Sequence, residues 1–423
     1  MSIAEQSRSR EQLRAIGFRF VFCYLVLYIW PFPFQYVPFL FYALTPVNAV
    51  LSNLVDGFAG PALFADAYNG FNPDTGSGDT SYRYTQSCLF LAIAVVACLL
   101  WTLLERKRTS YKGLSIIFDT TLRFYLAARL FEYGFIKVFP LQFTTPDAAR
   151  LAQSYGESSP MGLLWTFMGF SKLYTSFTGM GEVTAGVLLL FRRTKLIGAT
   201  LAVFVFLHVF VLNLAYDVPV KLLSLHLLLI SIYVAAPIVK KFTGRPTPID
   251  PAVSELVWPG WNSKKKKWII IGIKCILILF IGIQPALVSY LGYKELTQDA
   301  KPDTPGVLGI YTVSSFRQQG EAAQNTGWKE VRFNKNLMEI VYNDGASIQW
   351  HCVVLRGTKK IRLASKDLST FGEFDFAEQG KELILNGKIN DVPLTVHARH
   401  TADYTTPLLN REFHWISEEP FNR

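Results

Sequence analysis

The feature that most constrains this chain is a set of apolar runs, each nearly twenty residues long, that contain ionisable side chains. Within residues 123–237 these runs hold Arg129, Glu132, Glu182, His208 and His226. A charged side chain at the centre of a bilayer costs at least about 2.5 to 3.5 kcal/mol, so such residues normally face the interior of a helical bundle and pair with one another. The five side chains are therefore our first candidates for a functional site.

The composition places the chain among membrane proteins with several spans. Half of its 423 residues are hydrophobic, 14% are aromatic and only 17% are charged, which is too apolar for an ordinary soluble enzyme. The formal charge of +10 comes from Lys and Arg in short loops between the apolar runs. That placement indicates membrane topology, so the lipid bilayer is the predicted partner and nucleic acid is not.

The cysteines do not form a recognisable site. They are Cys23, Cys88, Cys98, Cys275 and Cys352, and no two of them have the CxxC spacing. Most of them fall in apolar runs, which argues against a disulfide framework, a dithiol active site or a zinc site. The pattern favours small apolar packing residues.

The apolar runs predict a helical bundle of about seven spans. We expect the spans at about 16–31, 85–104, 115–139, 174–191, 196–215, 220–239 and 268–290. Basic sites at the N-terminus, 105–112, 192–195 and 240–267 alternate with acidic or neutral loops at 52–83, 140–173 and 216–219. Because basic loops stay on the cytoplasmic side, the N-terminus is predicted to be cytoplasmic, and everything after about residue 291 is predicted to lie outside.

Two further segments of the predicted helical part have a distinct composition. Residues 31–51 contain Pro31, Pro33 and Pro38, which interrupt a helix and predict an interfacial or re-entrant segment with an aromatic belt. The sequence GLLWTFMGF at 162–170 is typical of a short amphipathic helix that could lie as a lid over the outer mouth of the bundle. A surface loop anchored by its aromatic residues is the alternative.

From residue 305 the hydrophobic period changes from helical to two. The runs are IYTVSSF, KEVRFN, LMEIVYND, SIQWHCVVL, KIRLAS, EFDFAE, KELILNG, PLTVHARH and FHWI. Turn sequences such as NDG and NGK separate them, which predicts an antiparallel barrel or sandwich of about eight strands. The histidines of this part are His351, His397, His400 and His414. Their spacing matches no recognised metal site, because strand residues three apart point to opposite faces, so we expect no metal.

These patterns divide the chain into four predicted segments. Residues 1–114 hold the first helices, the aromatic segment and an outer loop, and 115–240 form a four-helix core. Residues 241–295 hold a basic cytoplasmic loop and the seventh span, and 296–423 form an extracytoplasmic β domain. The β domain offers a surface for a protein partner.

The depth of the ionisable residues predicts that they meet. At 1.5 Å of rise per residue, all five of the first candidates lie about 9 to 15 Å below the outer ends of their helices. Arg129 and Glu132 are three residues apart and can neutralise each other, as can Asp119 and Arg123 at four apart. The alternative for each pair and for each histidine is a purely structural role.

Further candidates lie nearer the outer rim of the bundle. Lys137, Asp217, Lys221 and Asn213 complete the predicted ligand-binding group, together with Glu132. The small residues Gly134, Gly179, Gly181 and Gly186 allow helices to approach closely or leave room for a ligand.

Three stretches of the core resemble the DoxX-like family of four-helix membrane proteins. They are RLFEYGFIKV at 129–138, GEVTAGVLLLFRRTKLIGA at 181–199 and DVPVK at 217–221. Arg129, Gly134, Lys137 and Glu182 match the family's pattern. His208, His226, the β domain and the spans outside the core have no counterpart in it.

The resemblance implies a quinone-linked or redox-associated membrane protein, because the wider relatives include a thiosulfate:quinone oxidoreductase subunit and, more distantly, vitamin K-dependent carboxylase-type bundles. The layout is similar to larger DoxX-like proteins of Gram-negative bacteria. It implies the bacterial inner membrane, with the β domain in the periplasm. An enzyme of this kind would be a subunit of a quinone-linked oxidoreductase.

Two hypotheses of function follow. In the first, the outer half of the bundle binds a quinone: His208 or His226 bonds its carbonyl, Glu182 relays protons and Arg129 holds negative charge on the reduced ring. A haem held by the two histidines is a weaker variant. In the second, the chain is a non-catalytic scaffold that presents the β domain to a partner complex. A transporter ranks below both, because no inverted repeat is visible.

Overall fold

The computed structural model describes most of the chain. The described residues are 3–36, 38–68, 70, 76–146, 150, 153, 155–243, 264–299, 309–318, 321–322, 327–334, 337–355, 358–365 and 371–401. They divide into two units, Met1–Gln142 with Leu173–Tyr293, and Phe143–Lys172 with Lys294–Arg423. The first unit is helical, and the second contains a β-barrel.

Helices occupy every position where a span was predicted. Those of the N-terminal half are α1 (Ile3–Ile29), α2 (Pro38–Ala43), α3 (Thr45–Leu54), α4 (Gly60–Phe64), α5 (Ser81–Leu104) and α6 (Lys112–Val138). They are followed by α7 (Pro160–Phe170), α8 (Lys172–Leu190), α9 (Lys195–Ala215), α10 (Lys221–Thr243), α11 (Lys264–Ile278) and α12 (Gln284–Asp299). Single π-helical turns join α3 to α4 and α11 to α12. As the prolines predict, α1 ends just before Pro31.

Four helical stretches are long and apolar enough to cross a membrane. Within the described residues they are Glu11–Tyr36, Ser81–Leu104, Lys195–Ala215 and Lys274–Thr297, and Lys221–Pro237 is a shorter apolar helix. The more strongly charged α6 and the shorter α8 are not among them. The membrane character of the helical part is therefore supported, while the count of seven spans remains a prediction.

Helix α6 forms the centre of the helical core. Leu122, Leu126 and Leu130 on it are fully buried, and its apolar residues pack with buried side chains of α1, α8, α9 and α10. A helix that is buried on most of its faces must satisfy its charged side chains through neighbouring helices. Its position explains why the polar interactions of this half converge on α6.

Close contact between α6 and α8 depends on glycine. A Cβ on Gly179 would lie 2.6 Å from the carbonyl oxygen of Gly134 and 2.7 Å from the backbone nitrogen of Val138. Gly186 lies against the ring of Phe131. Gly181 has open space where a Cβ would be. Gly134, Gly179 and Gly186 therefore allow the predicted close approach, whereas Gly181 has open space beside it, which was the predicted alternative.

Buried Arg19 fastens α1 to the segment after α5. Its guanidinium donates to the Tyr111 hydroxyl at 2.9 Å, to Thr102 Oγ1 at 3.0 Å, and to the carbonyl oxygens of Glu105 and Arg108 at 2.9 and 3.0 Å. Only 2% of the residue is exposed. This arginine, which the sequence assigns to a basic terminus, is a fully bonded structural residue.

The second unit contains a closed antiparallel barrel. Its strands are β1 (Gly309–Gln318), β2 (Glu321–Ala322), β3 (Trp328–Asn334), β4 (Leu337–Tyr342), β5 (Ser347–Leu355), β6 (Lys360–Ser365), β7 (Phe371–Gln379), β8 (Glu382–Ile389) and β9 (Val392–His400). Each strand from β3 to β8 pairs with the strand that follows it, and β1 pairs with both β3 and β9. The short β2 pairs with the end of β1. Eight strands therefore close the sheet, and the barrel rather than the sandwich is confirmed.

Side chains fill the interior of the barrel. Along β5, Trp350 and Cys352 are buried while His351 between them is exposed, and Val331, Phe374 and Leu385 belong to the same core. Eight strands enclose a space that side chains alone can fill. The predicted strand FHWI with His414, the terminal segment that follows it and most of the basic loop at 240–267 lie outside the described residues.

We expect Gly179→Ala to destabilise the helical part, while Gly181→Ala leaves it unchanged or slightly stabilised. The new methyl group at 179 meets backbone atoms, so α6 and α8 must separate, at a cost of about 1 to 3 kcal/mol. At 181 the space is open, and alanine favours a helix by up to about 1 kcal/mol over glycine. Thermal unfolding of the two variants in detergent micelles measures the difference. Equal unfolding temperatures would contradict the packing of α6 against α8.

We expect the Cys352 thiol to resist alkylation in the folded barrel. Burial raises the pKa of this thiol to about 12, so it stays protonated near pH 8.5, where an ordinary cysteine is partly ionised. Mass spectrometry after treatment with iodoacetamide should find Cys352 unmodified in the native protein and modified in denaturant. Modification at equal rates in both states would contradict its place in the core.

Candidate functional site

His226 on α10 is held between two tyrosines of α1. Its Nδ1 lies 2.7 Å from the carbonyl oxygen of Leu222, and its Nε2 lies 2.7 Å from the Tyr24 hydroxyl. A carbonyl only accepts hydrogen bonds, so Nδ1 donates, and in the neutral ring Nε2 accepts from Tyr24. The imidazole also stacks on Tyr28, with ring centroids 3.9 Å apart and an angle of 6° between the planes. The orientation of His226 is thus fixed on three sides.

Arg129 on α6 lies next to this stack. Its Nη1 donates to Glu132 Oε2 at 2.6 Å, so the predicted pair forms. Its guanidinium carbon lies 5.3 Å from the ring centroid of Tyr125, and its charge interacts with Tyr28. The Nε atom is buried without a hydrogen-bond partner. Arg129 therefore bonds Glu132, interacts with the Tyr125 hydroxyl and leaves its Nε atom without a partner.

Five tyrosines surround these groups, and we call them the tyrosine cluster. They are Tyr24, Tyr28, Tyr36, Tyr125 and Tyr133. Tyr28 connects His226 with Arg129, and Tyr133 interacts with both Arg129 and Glu182. The cluster combines aromatic faces with hydroxyl groups that can donate or accept hydrogen bonds.

Glu182 on α8 forms a buried ion pair with Lys137 on α6. The Lys137 ammonium lies 2.8 and 2.9 Å from the two carboxylate oxygens, and the side chains are 10% and 6% exposed. The same ammonium donates to the carbonyl oxygen of Tyr133. The pair lies beside the close contact of α6 and α8, since a Cβ on Gly179 would be 2.8 Å from the Cβ of Lys137.

The remaining rim candidates lie at the end of α9, in the turn that follows it and at the start of α10. Asp79, in the segment before α5, accepts from the backbone nitrogens of Lys221 and Leu222 at 2.8 and 2.9 Å, which caps the helix. The Lys221 ammonium bonds Asp217 at 2.7 Å. Asn213 donates to the hydroxyl of Ser224 at 3.0 Å. These contacts position the turn between α9 and α10.

Four of the five first candidates interact with Tyr28 or Tyr133, and the fifth does not. His226 stacks on Tyr28, the charge of Arg129 acts on both tyrosines, and the charges of Glu132 and Glu182 act on Tyr133. His208 is exposed on α9, because the face of α9 that packs on the core carries Ala199, Ala202 and Phe206 instead. The predicted convergence of both histidines is wrong.

Sequence reasoning missed the tyrosines of this site. Tyr24 and Tyr28 are four residues apart, which places them on one face of α1. That spacing was the available signal, but tyrosines near the end of a span are equally typical of an interfacial belt. Only the packing of α1 against α10 distinguishes the two.

The described residues contain no group of three His, Cys, Asp or Glu side chains that could hold a metal ion. In the barrel, His400 packs edge-on against Tyr311 at 5.1 Å. His397 lies between the inward-facing Val396 and Ala398. The two histidines point to opposite faces, as their spacing predicts.

Comparison with known proteins adds a relative. The uncharacterized protein YwoB of Bacillus subtilis is 34% identical to the chain over 134 residues, which are 31% of this chain and 84% of YwoB. The chain belongs to the same family as YwoB. No family model matches the chain, and no solved structure matches it. This likeness carries no activity with it, and the chemistry of the site rests on the tyrosine cluster itself.

We expect single substitutions in the Lys137 and Glu182 pair to destabilise the protein far more than the double substitution. Glu182→Gln or Lys137→Met alone leaves a buried charge without its partner, at a cost of about 3 to 5 kcal/mol. Removing both charges together costs much less. A double-mutant cycle of thermal unfolding in detergent measures the coupling. Additive effects of the two substitutions would show that the side chains do not depend on each other.

Proposed function

We propose that the helical part binds an isoprenoid quinone, or a similarly flat lipid-soluble carrier, at the tyrosine cluster. The observation that carries the proposal is the parallel stack of His226 on Tyr28 beside Arg129, whose Nε is buried without a partner. A quinone ring offers a flat face to the aromatic rings and two carbonyl oxygens to hydrogen-bond donors. The cluster supplies both kinds of contact between apolar helices.

Each polar group of the cluster then has a role. Arg129 donates to a carbonyl oxygen and stabilises negative charge that develops there on reduction. The Tyr24 hydroxyl reaches the other carbonyl when His226 is protonated at both nitrogens, because Nε2–H then donates to the Tyr24 oxygen and frees the hydroxyl proton. On reduction the proton of Tyr24 passes to the carbonyl oxygen and the Nε2 proton of His226 passes to Tyr24, which leaves a neutral imidazole.

The other predicted residues act less directly. Lys137 and Glu182 position α6 and α8 around the carrier, and Glu182 reaches the cluster through Tyr133. Asp217, Lys221 and Asn213 hold the turn that begins α10. His208 has no part in this version of the site, since its side chain is exposed.

The wider setting is part of the same proposal. In it, the chain is a DoxX-like, redox-associated protein of a bacterial inner membrane and acts with a quinone-linked oxidoreductase. The charge pattern of the loops supports a cytoplasmic N-terminus and a periplasmic barrel. The barrel, whose interior is filled, presents its outer surface to a protein partner.

We expect a short-chain ubiquinone analogue to bind the detergent-solubilised protein saturably. Arg129→Gln should weaken binding by about tenfold or more, because it removes a charged donor worth about 1.5 to 3 kcal/mol. His226→Ala should also weaken binding, because it removes the ring that holds Tyr24 and Tyr28 in place. Equilibrium dialysis, with quinone absorbance as the readout, measures the dissociation constant. His208→Ala is the matched control and should bind as the unmodified protein does.

A scaffold that presents the barrel is the second candidate. It is favoured by the fact that the charged side chains of α6 include pairs that fasten helices together, such as Lys137 with Glu182. Absence of saturable quinone binding, or equal binding by His226→Ala and Arg129→Gln, would reject the quinone site. The scaffold predicts in addition that these substitutions leave the cellular phenotype intact, whereas deletion of residues 305–423 abolishes it.

A further inference from the structure

Three buried polar atoms without hydrogen-bond partners belong to α6 and α10, where the ring of Phe118, the residue before Asp119, lies 5.5 Å from the ring of Tyr233. They are Asp119 Oδ1, Arg123 Nε and the Tyr233 hydroxyl. The three residues are 5%, 3% and 5% exposed, and the charge of Asp119 interacts with both Arg123 and Tyr233. Buried polar atoms are nearly always hydrogen-bonded, so two donors and an acceptor left open at one place indicate a bound polar group.

Arg123 differs sharply from the other deeply buried arginine of this unit. Arg19 makes four hydrogen bonds to groups of α5 and the segment that follows. Asp119, one turn before Arg123, was the predicted partner of Arg123 but bonds Lys195 instead, at 2.8 Å. That prediction is wrong because the turn between α8 and α9 brings the Lys195 ammonium to the carboxylate. A buried guanidinium that shares its nearby carboxylate with a lysine and leaves Nε unbonded is costly, which favours an anionic ligand.

The surrounding charge has the same sign. The charges of Arg192 and Lys274 both interact with the charge of Arg123, and they also interact with each other. Lys195 already neutralises Asp119. The group therefore has an excess of positive charge, contributed by α6, by the turn after α8 and by α11.

The site lies at the level where lipid phosphates would be found. Lys195, which bonds Asp119, is the first residue of Lys195–Ala215, one of the four stretches that are long enough to cross a membrane. The ends of such stretches lie beside the headgroups of the bilayer. The open atoms of Asp119, Arg123 and Tyr233 are therefore within the reach of a headgroup that enters between the helices.

We propose that this site binds a phosphate group that carries a neighbouring hydroxyl. The phosphate oxygens accept from Arg123 Nε and the Tyr233 hydroxyl, and the ligand's hydroxyl donates to Asp119 Oδ1. Arg192 and Lys274 add longer-range attraction. This chemistry is present in the headgroup of a glycerol-bearing anionic lipid and in free hydrogen phosphate. The inference is independent of the quinone proposal, because it uses none of the residues of the tyrosine cluster.

The full chain, stripped of lipid in a neutral detergent, tests the proposal by native mass spectrometry and thermal unfolding. Added phosphatidylglycerol should remain bound and raise the unfolding temperature to a plateau, whereas phosphatidylcholine, which lacks a net charge and a free hydroxyl, should not. Arg123→Gln should weaken the affinity for phosphatidylglycerol by about tenfold or more. The control Arg106→Gln removes the same charge from an exposed position and should have no effect.

A separate titration with inorganic phosphate identifies the source of the ligand. A plateau with inorganic phosphate alone assigns the site to the free anion, and a plateau with phosphatidylglycerol alone assigns it to a lipid. Tyr233→Phe is the second variant, because its hydroxyl has no protein partner and its loss should leave the stability of the lipid-free protein unchanged. The proposal would be overturned if phosphatidylglycerol and phosphatidylcholine gave equal responses and inorganic phosphate gave none. It would also be overturned if Tyr233→Phe and a folded Arg123→Gln bound phosphatidylglycerol as tightly as the unmodified protein does.

Discussion

The structure of the helical part depends on satisfying the charged side chains of one buried helix. Helix α6 is packed on most of its faces, yet it carries Asp119, Arg123, Arg129, Glu132 and Lys137. Each charge that is removed from water must be matched by an opposite charge or a hydrogen-bonding group. The neighbours of α6 are therefore positioned by its polar residues as much as by its apolar ones.

Three ion pairs meet this requirement in different ways. Lys137 reaches across to Glu182 and fastens α6 to α8, and Asp119 reaches to Lys195 and fastens α6 to the start of α9. Arg129 instead pairs within its own helix, so its remaining donor is open to another group. Arg129 can therefore contact a ligand without breaking a link between helices, whereas Lys137 cannot. For this reason the proposed site is the tyrosine cluster and not the Lys137 pair.

The arginines show how burial alone fails to define a role. Arg19 and Arg123 are buried to almost the same degree, but Arg19 is fully hydrogen-bonded to the protein and Arg123 Nε is not bonded. The first stabilises the fold, and the second keeps an open donor, on which the proposed phosphate site rests. Both arginines look alike in the sequence, since each follows or lies within an apolar run.

Sequence periodicity predicted the helices and strands well, and it predicted which charged side chains pair with one another less well. A change of hydrophobic period from helix-like to two locates the barrel, and the glycines of RLFEYGFIKV and FTGMGEV predict a close contact that Gly134 and Gly179 make. The Arg129 pair forms as its spacing requires. The pairing of Asp119 with Arg123 does not form, because local spacing competes with a lysine that is 76 residues away.

The sequence by itself determined which part is helical, which part forms strands and which side chains are costly to bury, because these follow from local spacing and composition. The tertiary structure decided which of those side chains meet. His208 and His226 are equally polar and lie at similar depths in the sequence, yet the packed face of α9 excludes the first, and α1 places Tyr24 and Tyr28 against the second. Contacts between helices depend on their rotation and on distant partners, which no local pattern contains.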